Sequence, residues 1–139
     1  MIDPFLDFPG YLLRRASAAA LAEIGTRLAV HGLRPTEATI LALVANNADV
    51  TQSDIGHYLG IQRANMTPII ARLIEQGWLC KKPIDGRSQA LFLTDLGATL
   101  QKAALAEMQA YEQSLMEKMP DTLRGHLLPV LNALWSRSG

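Results

Sequence analysis

Residues 51–94, TQSDIGHYLGIQRANMTPIIARLIEQGWLCKKPIDGRSQALFLT, decide the fold. Thr51 suits a helix N-cap, because its hydroxyl can accept from a free amide of the first turn. Asp54 lies three residues on, favours the positive helix start and completes a variant of the capping box. Ile55 and Leu59 sit one helical turn apart and can face a core. Gly56 lies between them, and glycine inside a helix costs about 1 kcal/mol against alanine. A helix pair that must approach closely would accept that cost. Gly60 then supplies a left-handed end, and Ile61 plugs the turn into the core.

Gln62 begins a longer helix that Gly77 ends. Met66, Ile69, Ile70 and Leu73 recur at helical spacing and point inward. Arg63, Thr67 and Ala71 face the other way, with Asn65 and Arg72 on the flanks. Pro68 lies beyond the first turn and removes a bond to the Ala64 carbonyl, so a local bend or a shifted helix start is expected. Leu79 to Ile84 reads as a strand, Asp85-Gly86 as a turn, and Ala90 to Leu93 as the returning strand. Thr94 caps the next helix. Helix, tight turn, helix and β-hairpin in that order make a winged helix-turn-helix, which places its second helix in the DNA major groove.

In that module Gln62, Arg63, Asn65 and Thr67 stand where base edges would be. Arginine pairs with guanine, asparagine or glutamine with adenine, and the threonine methyl with thymine. Isolated polar residues on a helix would be an ordinary solvated face; the place of these four in the motif points to DNA. Arg87 at the hairpin tip, with Lys81 and Lys82 in the strand before it, suits phosphate or the minor groove. Arg72 suits the DNA backbone.

Two stretches in the right order carry a family resemblance: LGIQRANMTPIIARLIEQGWL, residues 59–79, and DGRSQALFLTDLGATL, residues 85–100. The second has Asp-x-Arg in the wing followed by Leu-Thr-x-x-Gly. Together they resemble the MarR family of bacterial transcriptional regulators over nearly the whole chain, more weakly outside the central module. The resemblance implies a homodimer that binds a near-palindromic operator in double-stranded DNA, most often as a repressor. It also implies a small, aromatic effector in a cleft between the DNA-binding and dimerisation parts. The first helix borders that cleft, which makes Tyr11, Arg14, Arg15 and His31 the ligand-binding candidates; each reads equally as a surface or capping residue. One branch of the family senses hydroperoxides through a cysteine in its first helix and tolerates a proline like Pro68. No cysteine stands in that helix here. Cys80 lies instead in the predicted wing strand beside Lys81. A redox-sensing regulator using Cys80 is therefore an alternative, beside the plain reading of a small strand residue.

The flanks support this module. Met1 to Gly10 form an arm whose Phe5, Leu6 and Phe8 are expected to pack on a partner subunit. Tyr11 to about Val30 is a helix with Leu13, Ala16, Ala20, Ile24 and Leu28 on one stripe, and Gly32 stops it. Pro35 opens a helix to about Asn46, with Ile40, Leu41, Leu43 and Val44 inward. A helix from Thr94 to about Lys118 carries Leu100, Ala104, Met108, Tyr111 and Leu115. A last helix runs towards Trp135 with Leu123, Leu127, Leu131 and Leu134, and Pro129 predicts a kink. The expected fold class is mainly α with a small β-hairpin wing. It forms one domain over residues 1–139, with the DNA-binding part at 33–95 and dimerisation helices at 1–32 and 96–139. A monomeric helical core is the plainer alternative for those outer helices.

A chain of 139 residues suits one domain and can bury a core without disulfides or metals. Lys plus Arg and Asp plus Glu number 13 each, a neutrality that counts against DNA binding as judged by bulk charge. It keeps open a winged helix that binds protein and not DNA. Residues 51–94 carry Arg63, Arg72, Lys81, Lys82 and Arg87 against Asp54, Glu75 and Asp85, so this stretch holds +2 and the remainder −2. The single cysteine excludes an intrachain disulfide and a multi-cysteine metal site. His31, His57 and His126 are scattered, no nucleophile–base constellation is legible, and no glycine-rich phosphate loop is present. The expectation is no enzyme, no metal and no cofactor. Asp3 and Asp7 stand where a signal peptide would be basic, and no apolar run approaches the roughly 18 residues of a membrane span. A cytoplasmic protein without membrane contact is expected.

Overall fold

The computed structural model describes residues 1–136, so the last residues of the expected dimerisation segment, 137–139, lie outside the described residues. The helices are α1 (Pro9–Ala29), α2 (Pro35–Asn46), α3 (Gln52–Leu59), α4 (Arg63–Glu75), α5 (Asp95–Glu117) and α6 (Arg124–Trp135). The strands β1 (Leu79–Pro83) and β2 (Gln89–Leu93) pair antiparallel, with Leu79 opposite Leu93 and Pro83 opposite Gln89. The architecture is mainly helical with a hairpin wing, as the residue pattern predicts. Met1–Met108 forms one packed unit, and the chain from Gln109 onwards forms a second.

The core of the first unit is drawn from every element of the central module. Leu28, Ile40, Leu41, Ile55, Met66, Ile70, Leu73, Leu79 and Leu91 are fully buried in it. Thr51 Oγ1 accepts from the Asp54 amide at 3.1 Å, and the Asp54 carboxylate accepts from the Thr51 amide at 2.9 Å. The Thr51 amide first, and then the Thr51 hydroxyl, hold the Asp54 carboxyl below the ordinary aspartate range. Gly60 takes a left-handed φ of 70° and ends α3. A Cβ on Gly56 would lie 3.0 Å from the Met66 side chain and 3.1 Å from the Ile61 carbonyl oxygen, so α3 and α4 do approach closely there.

The junction after the wing is tighter still. Thr94 Oγ1 accepts from the Gly97 amide at 3.0 Å and donates to the Gly77 carbonyl. The Trp78 carbonyl accepts from the Thr94 amide at 3.1 Å. A Cβ on Gly97 would sit 1.9 Å from that same Trp78 oxygen. The Leu-Thr-x-x-Gly pattern is thereby explained: the threonine caps α5 and ties it to the end of α4, and the glycine lets α5 lie against the backbone of β1's approach.

Pro68 does not break α4, as expected, and α6 continues through Pro129. Three details differ from the sequence reading. Gln62 is the extended N-cap of α4 and not its first residue. Asp85-Gly86 does not make a two-residue turn with left-handed glycine, since Gly86 is not among the residues of positive φ. The strands are joined by residues 84–88, closed by the Ile84 amide on the Ser88 carbonyl at 3.1 Å. The Asp85 carboxylate accepts from the Arg87 amide at 2.8 Å and the Ser88 amide at 2.7 Å. A side chain, and not glycine's freedom, shapes this turn. Finally, Thr51 pairs with Ala90, and the Leu91 amide donates to the Val50 carbonyl at 2.8 Å. Val50-Thr51 thus extends the wing by one bridge, too short to show as an alternating pattern.

The arm, expected to pack on a partner, folds onto the start of α1. Phe5 stacks edge-on with Phe8 at 5.6 Å and lies tilted against Tyr11 at 5.5 Å, although both phenylalanines stay exposed. In the second unit Arg124 joins the turn before α6: its guanidinium donates to the Met119 carbonyl at 3.1 Å and pairs with Asp121 at 3.0 Å. The expected stripe of α6 is only half realised, with Leu127 and Leu131 half-buried and Leu123 and Leu134 exposed.

Candidate nucleic-acid interface

A groove of about 710 Å³ opens between α3, the first turns of α4 and the wing. Arg63 and Thr67 reach it from α4, Gln52, Ser53 and His57 from α3, and Lys81, Arg87, Ser88 and Gln89 from the wing. Arg63, Lys81 and Arg87 bring three cations to it, and no carboxylate stands among its described lining residues. The neutral bulk charge therefore conceals a local basic surface, the kind that attracts phosphate. Gln62, Arg63, Asn65 and Thr67 are all exposed at the start of α4, while Met66, Ile70 and Leu73 on its other face are buried. The core grips one side of this helix and leaves the polar side free.

Arg87 owes its place to Asp85. The Arg87 and Ser88 amides, in that order, hold the Asp85 carboxyl below the ordinary aspartate range. The ionised side chain fixes the wing loop that carries Arg87. This gives the Asp-x-Arg pattern a local meaning: the aspartate shapes the loop, and the arginine side chain is left to reach outwards.

Two of the basic candidates are placed otherwise than expected. Arg72 is bound into the fold. Its guanidinium pairs with Glu37, a carboxylate only 3% exposed, donates to the Gly32 carbonyl at 3.1 Å and lies 5.6 Å from the Trp78 ring. The second Glu37 oxygen accepts from the Arg34 amide at 2.8 Å. Arg72 thus neutralises a buried charge, a duty invisible without knowing that Glu37 is buried. Lys81 and Lys82 are successive strand residues and point to opposite faces. Lys81 lines the groove, whereas Lys82 sits over the Phe92 ring at 5.1 Å. Cys80, opposite Phe92 in the register, shares the Lys82 face and is half-buried.

The ligand-binding candidates do not converge within one chain. Tyr11 donates to the Asp3 carboxylate at 2.6 Å, and Arg14 and Arg15 lie over its ring at 5.7 and 5.8 Å. His31 instead meets Glu107 at 3.3 Å, beyond the far end of α1. The 21 residues of α1 separate the two places by about 30 Å. Shared membership of one helix border does not bring its two ends together. Gln52, Ser53, His57, Ser88 and Gln89 are groove residues that sequence reasoning missed. The polar run at the start of α3 was the available signal for Gln52 and Ser53. Among the described residues no group of three or more His, Cys, Asp or Glu could hold a metal ion, and no helix is long and apolar enough to cross a membrane.

The fold around the groove is similar to that of known proteins. The family model of the MarR family matches residues 31–88, the stretch that holds α2, α3, α4 and the wing up to its loop. A curated relative, described as a putative transcriptional regulatory protein for the hcr operon of Thauera aromatica, is 25% identical over 129 residues, covering 91% of this chain and 78% of that protein. A transcriptional repressor, CouR, solved on a 23-mer DNA duplex, is 28% identical with a TM-score of 0.87, covering 96% of this chain and 97% of that one. CouR bound to p-coumaroyl-CoA is 25% identical with a TM-score of 0.88 and 99% coverage of both chains. A CouR from Rhodococcus jostii RHA1, also holding p-coumaroyl-CoA, matches in fold at 23% identity and a TM-score of 0.84, over 99% of both chains. With the family model on its helix-turn-helix and the same fold along nearly its whole length, the chain is similar to the MarR family of transcriptional regulators.

Proposed function

We propose that the protein is a DNA-binding transcriptional regulator of the cytoplasm, a homodimeric repressor that leaves its operator when a small aromatic ligand binds. One observation carries the DNA reading: the exposed polar start of α4 lies beside a carboxylate-free groove edged by Arg63, Lys81 and Arg87. Gln62, Arg63, Asn65 and Thr67 read bases, and Arg87 and Lys81 contact phosphate or the minor groove. Two copies related by a two-fold axis would set their α4 helices in successive major grooves, about 34 Å apart on a near-palindromic site. The start of α1 and the helices from residue 96 onwards supply the dimer contact. Exposed Leu128, Val130, Leu134 and Trp135 on α6 support that assignment, since large apolar side chains exposed on both sides of one short helix ordinarily have a partner.

For the effector, support comes from the exposed cluster of Phe5, Tyr11, Arg14 and Arg15, whose rings and guanidinium groups suit an aromatic anion. The ligand held by the similar repressor, p-coumaroyl-CoA, makes aromatic acyl thioesters the first class to try. A ligand changes DNA affinity only by favouring one spacing of the reading heads over the other.

Gel-shift titration against the DNA flanking its own gene, at several salt concentrations, tests the reading. A specific complex is expected with Kd of order 10⁻⁸ M, weakening as salt rises. Arg87→Ala is expected to weaken binding alike across sequences and to lower the salt slope by about one unit. Equal binding to flanking and unrelated DNA would sink the regulator reading and favour a winged helix that binds protein. Addition of p-coumaroyl-CoA is expected to release the DNA, and sedimentation to give a dimer.

A further inference from the structure

The start of α4 holds a hydrogen-bond relay that the base-reading assignments leave unused. Gln52, on α3, donates from its side-chain amide to Thr67 Oγ1 at 3.3 Å. Thr67 Oγ1 donates in turn to the Arg63 carbonyl oxygen at 3.0 Å. A threonine hydroxyl has one proton to give. Here that proton is committed to Arg63, and a lone pair is committed to Gln52. Two bonds on one oxygen also fix χ1, which is already stiff in a β-branched residue. Thr67 remains exposed and lines the groove. With its proton and one of its two lone pairs engaged, the hydroxyl has no hydrogen to give a base, and the methyl is the group held in a fixed place beside it.

We propose that Gln52 is a positioning residue for Thr67, and that Thr67, so held, reads the 5-methyl group of a thymine and not a hydrogen-bonding edge. The inference rests on the regulator reading above and narrows it to one base chemistry. Thymine is the base that presents a methyl group in the major groove, so position 67 discriminates thymine from cytosine and from uracil. Gln52 contributes at a distance: it holds the side chain that touches the base and leaves the other base-reading residues of α4 alone.

The experiment uses the full-length protein. A site is first enriched from a randomised duplex library with the unaltered protein, and each thymine in it is then replaced singly by deoxyuridine, which lacks only the methyl. At one thymine per half-site the replacement is expected to weaken binding about fourfold, the worth of one buried methyl group. Thr67→Val keeps a methyl but removes the oxygen that Gln52 holds, so it should show the same reduced preference as Gln52→Leu. Thr67→Ser removes the methyl and should bind both sites equally. Gln52→Leu should cut the fourfold preference to less than about twofold, with the thermal midpoint unchanged. An undiminished preference in Thr67→Ser overturns methyl reading, and an undiminished preference in Gln52→Leu overturns the positioning role. If the library yields no enriched sequence, the regulator reading itself fails and takes this inference with it.

Discussion

α4 and α6 are of nearly equal length, 13 and 12 residues, and each carries a proline in its interior. α4 buries Met66, Ile70 and Leu73 completely. α6 has a denser apolar sequence, RGHLLPVLNALW, and no buried residue; Leu134 and Trp135 are 63% and 61% exposed. Apolar content therefore does not decide burial in this chain. What decides it is whether neighbouring elements of the same unit close over the stripe. α4 is clasped by α3 and β1 through the short turns at Gly60 and Gly77, whereas α6 belongs to the separate unit that begins at Gln109. The contrast separates two uses of hydrophobic surface: in α4 it builds the platform for a polar reading face, and in α6 it is left over for the proposed second subunit.

Substitution can break that contrast. The largest effect is expected at the junction of the platform. Gly97→Ala forces a methyl group into the Trp78 carbonyl, and the shift it demands should cost about 3 kcal/mol or more in chemical denaturation. A loss below about 1 kcal/mol would mean that α5 can slide on the wing without consequence. Leu73→Ala should cost about 3 kcal/mol of folding stability. Leu134→Ala should cost less than about 0.5 kcal/mol in the separated protomer yet weaken self-association in sedimentation. Equal effects on folding would erase the distinction between the helices.

A smaller effect tests the reassigned arginine. Arg72→Ala strips the partner from buried Glu37 and should cost about 2 kcal/mol, less than for a fully enclosed pair because Arg72 is itself one-third exposed. Its salt slope on DNA should stay that of the unaltered protein, in contrast to Arg87→Ala. A lowered slope would return Arg72 to the interface. The smallest effect concerns acid. Asp85 is held below its ordinary value of 3.8 in the folded wing, so its contribution is complete above that pH and is lost as pH falls through the depressed folded value. The Arg87 and Ser88 amide resonances should therefore move in that acid range, and Asp85→Asn should abolish that part of the titration.

Much of the central module was legible because its signals are local. Thr51 with Asp54, the left-handed glycines at 60 and 77, and the inward set of α4 each act within a turn or two of chain, where spacing fixes geometry. The polar start of α4 was legible for the same reason. Lys82, Arg72 and His31 were not, because their partners lie beyond the reach of local spacing: the Phe92 ring, buried Glu37, and for His31 a glutamate 76 residues away. A basic residue looks alike in sequence whether it awaits a phosphate or neutralises a buried carboxylate. Gln52 was missed on the same ground, since its bond to Thr67 spans two helices.

By itself, then, the sequence determined the order of elements, the helix ends, the wing and the face of α4 that stays polar, since capping, periodicity and turn chemistry are properties of neighbouring residues. Tertiary structure alone decided which cations remain free, that Asp85 and not Gly86 shapes the wing tip, and why position 97 has no room for a side chain. Those outcomes depend on which atoms meet across long stretches of chain, and only packing brings those atoms together.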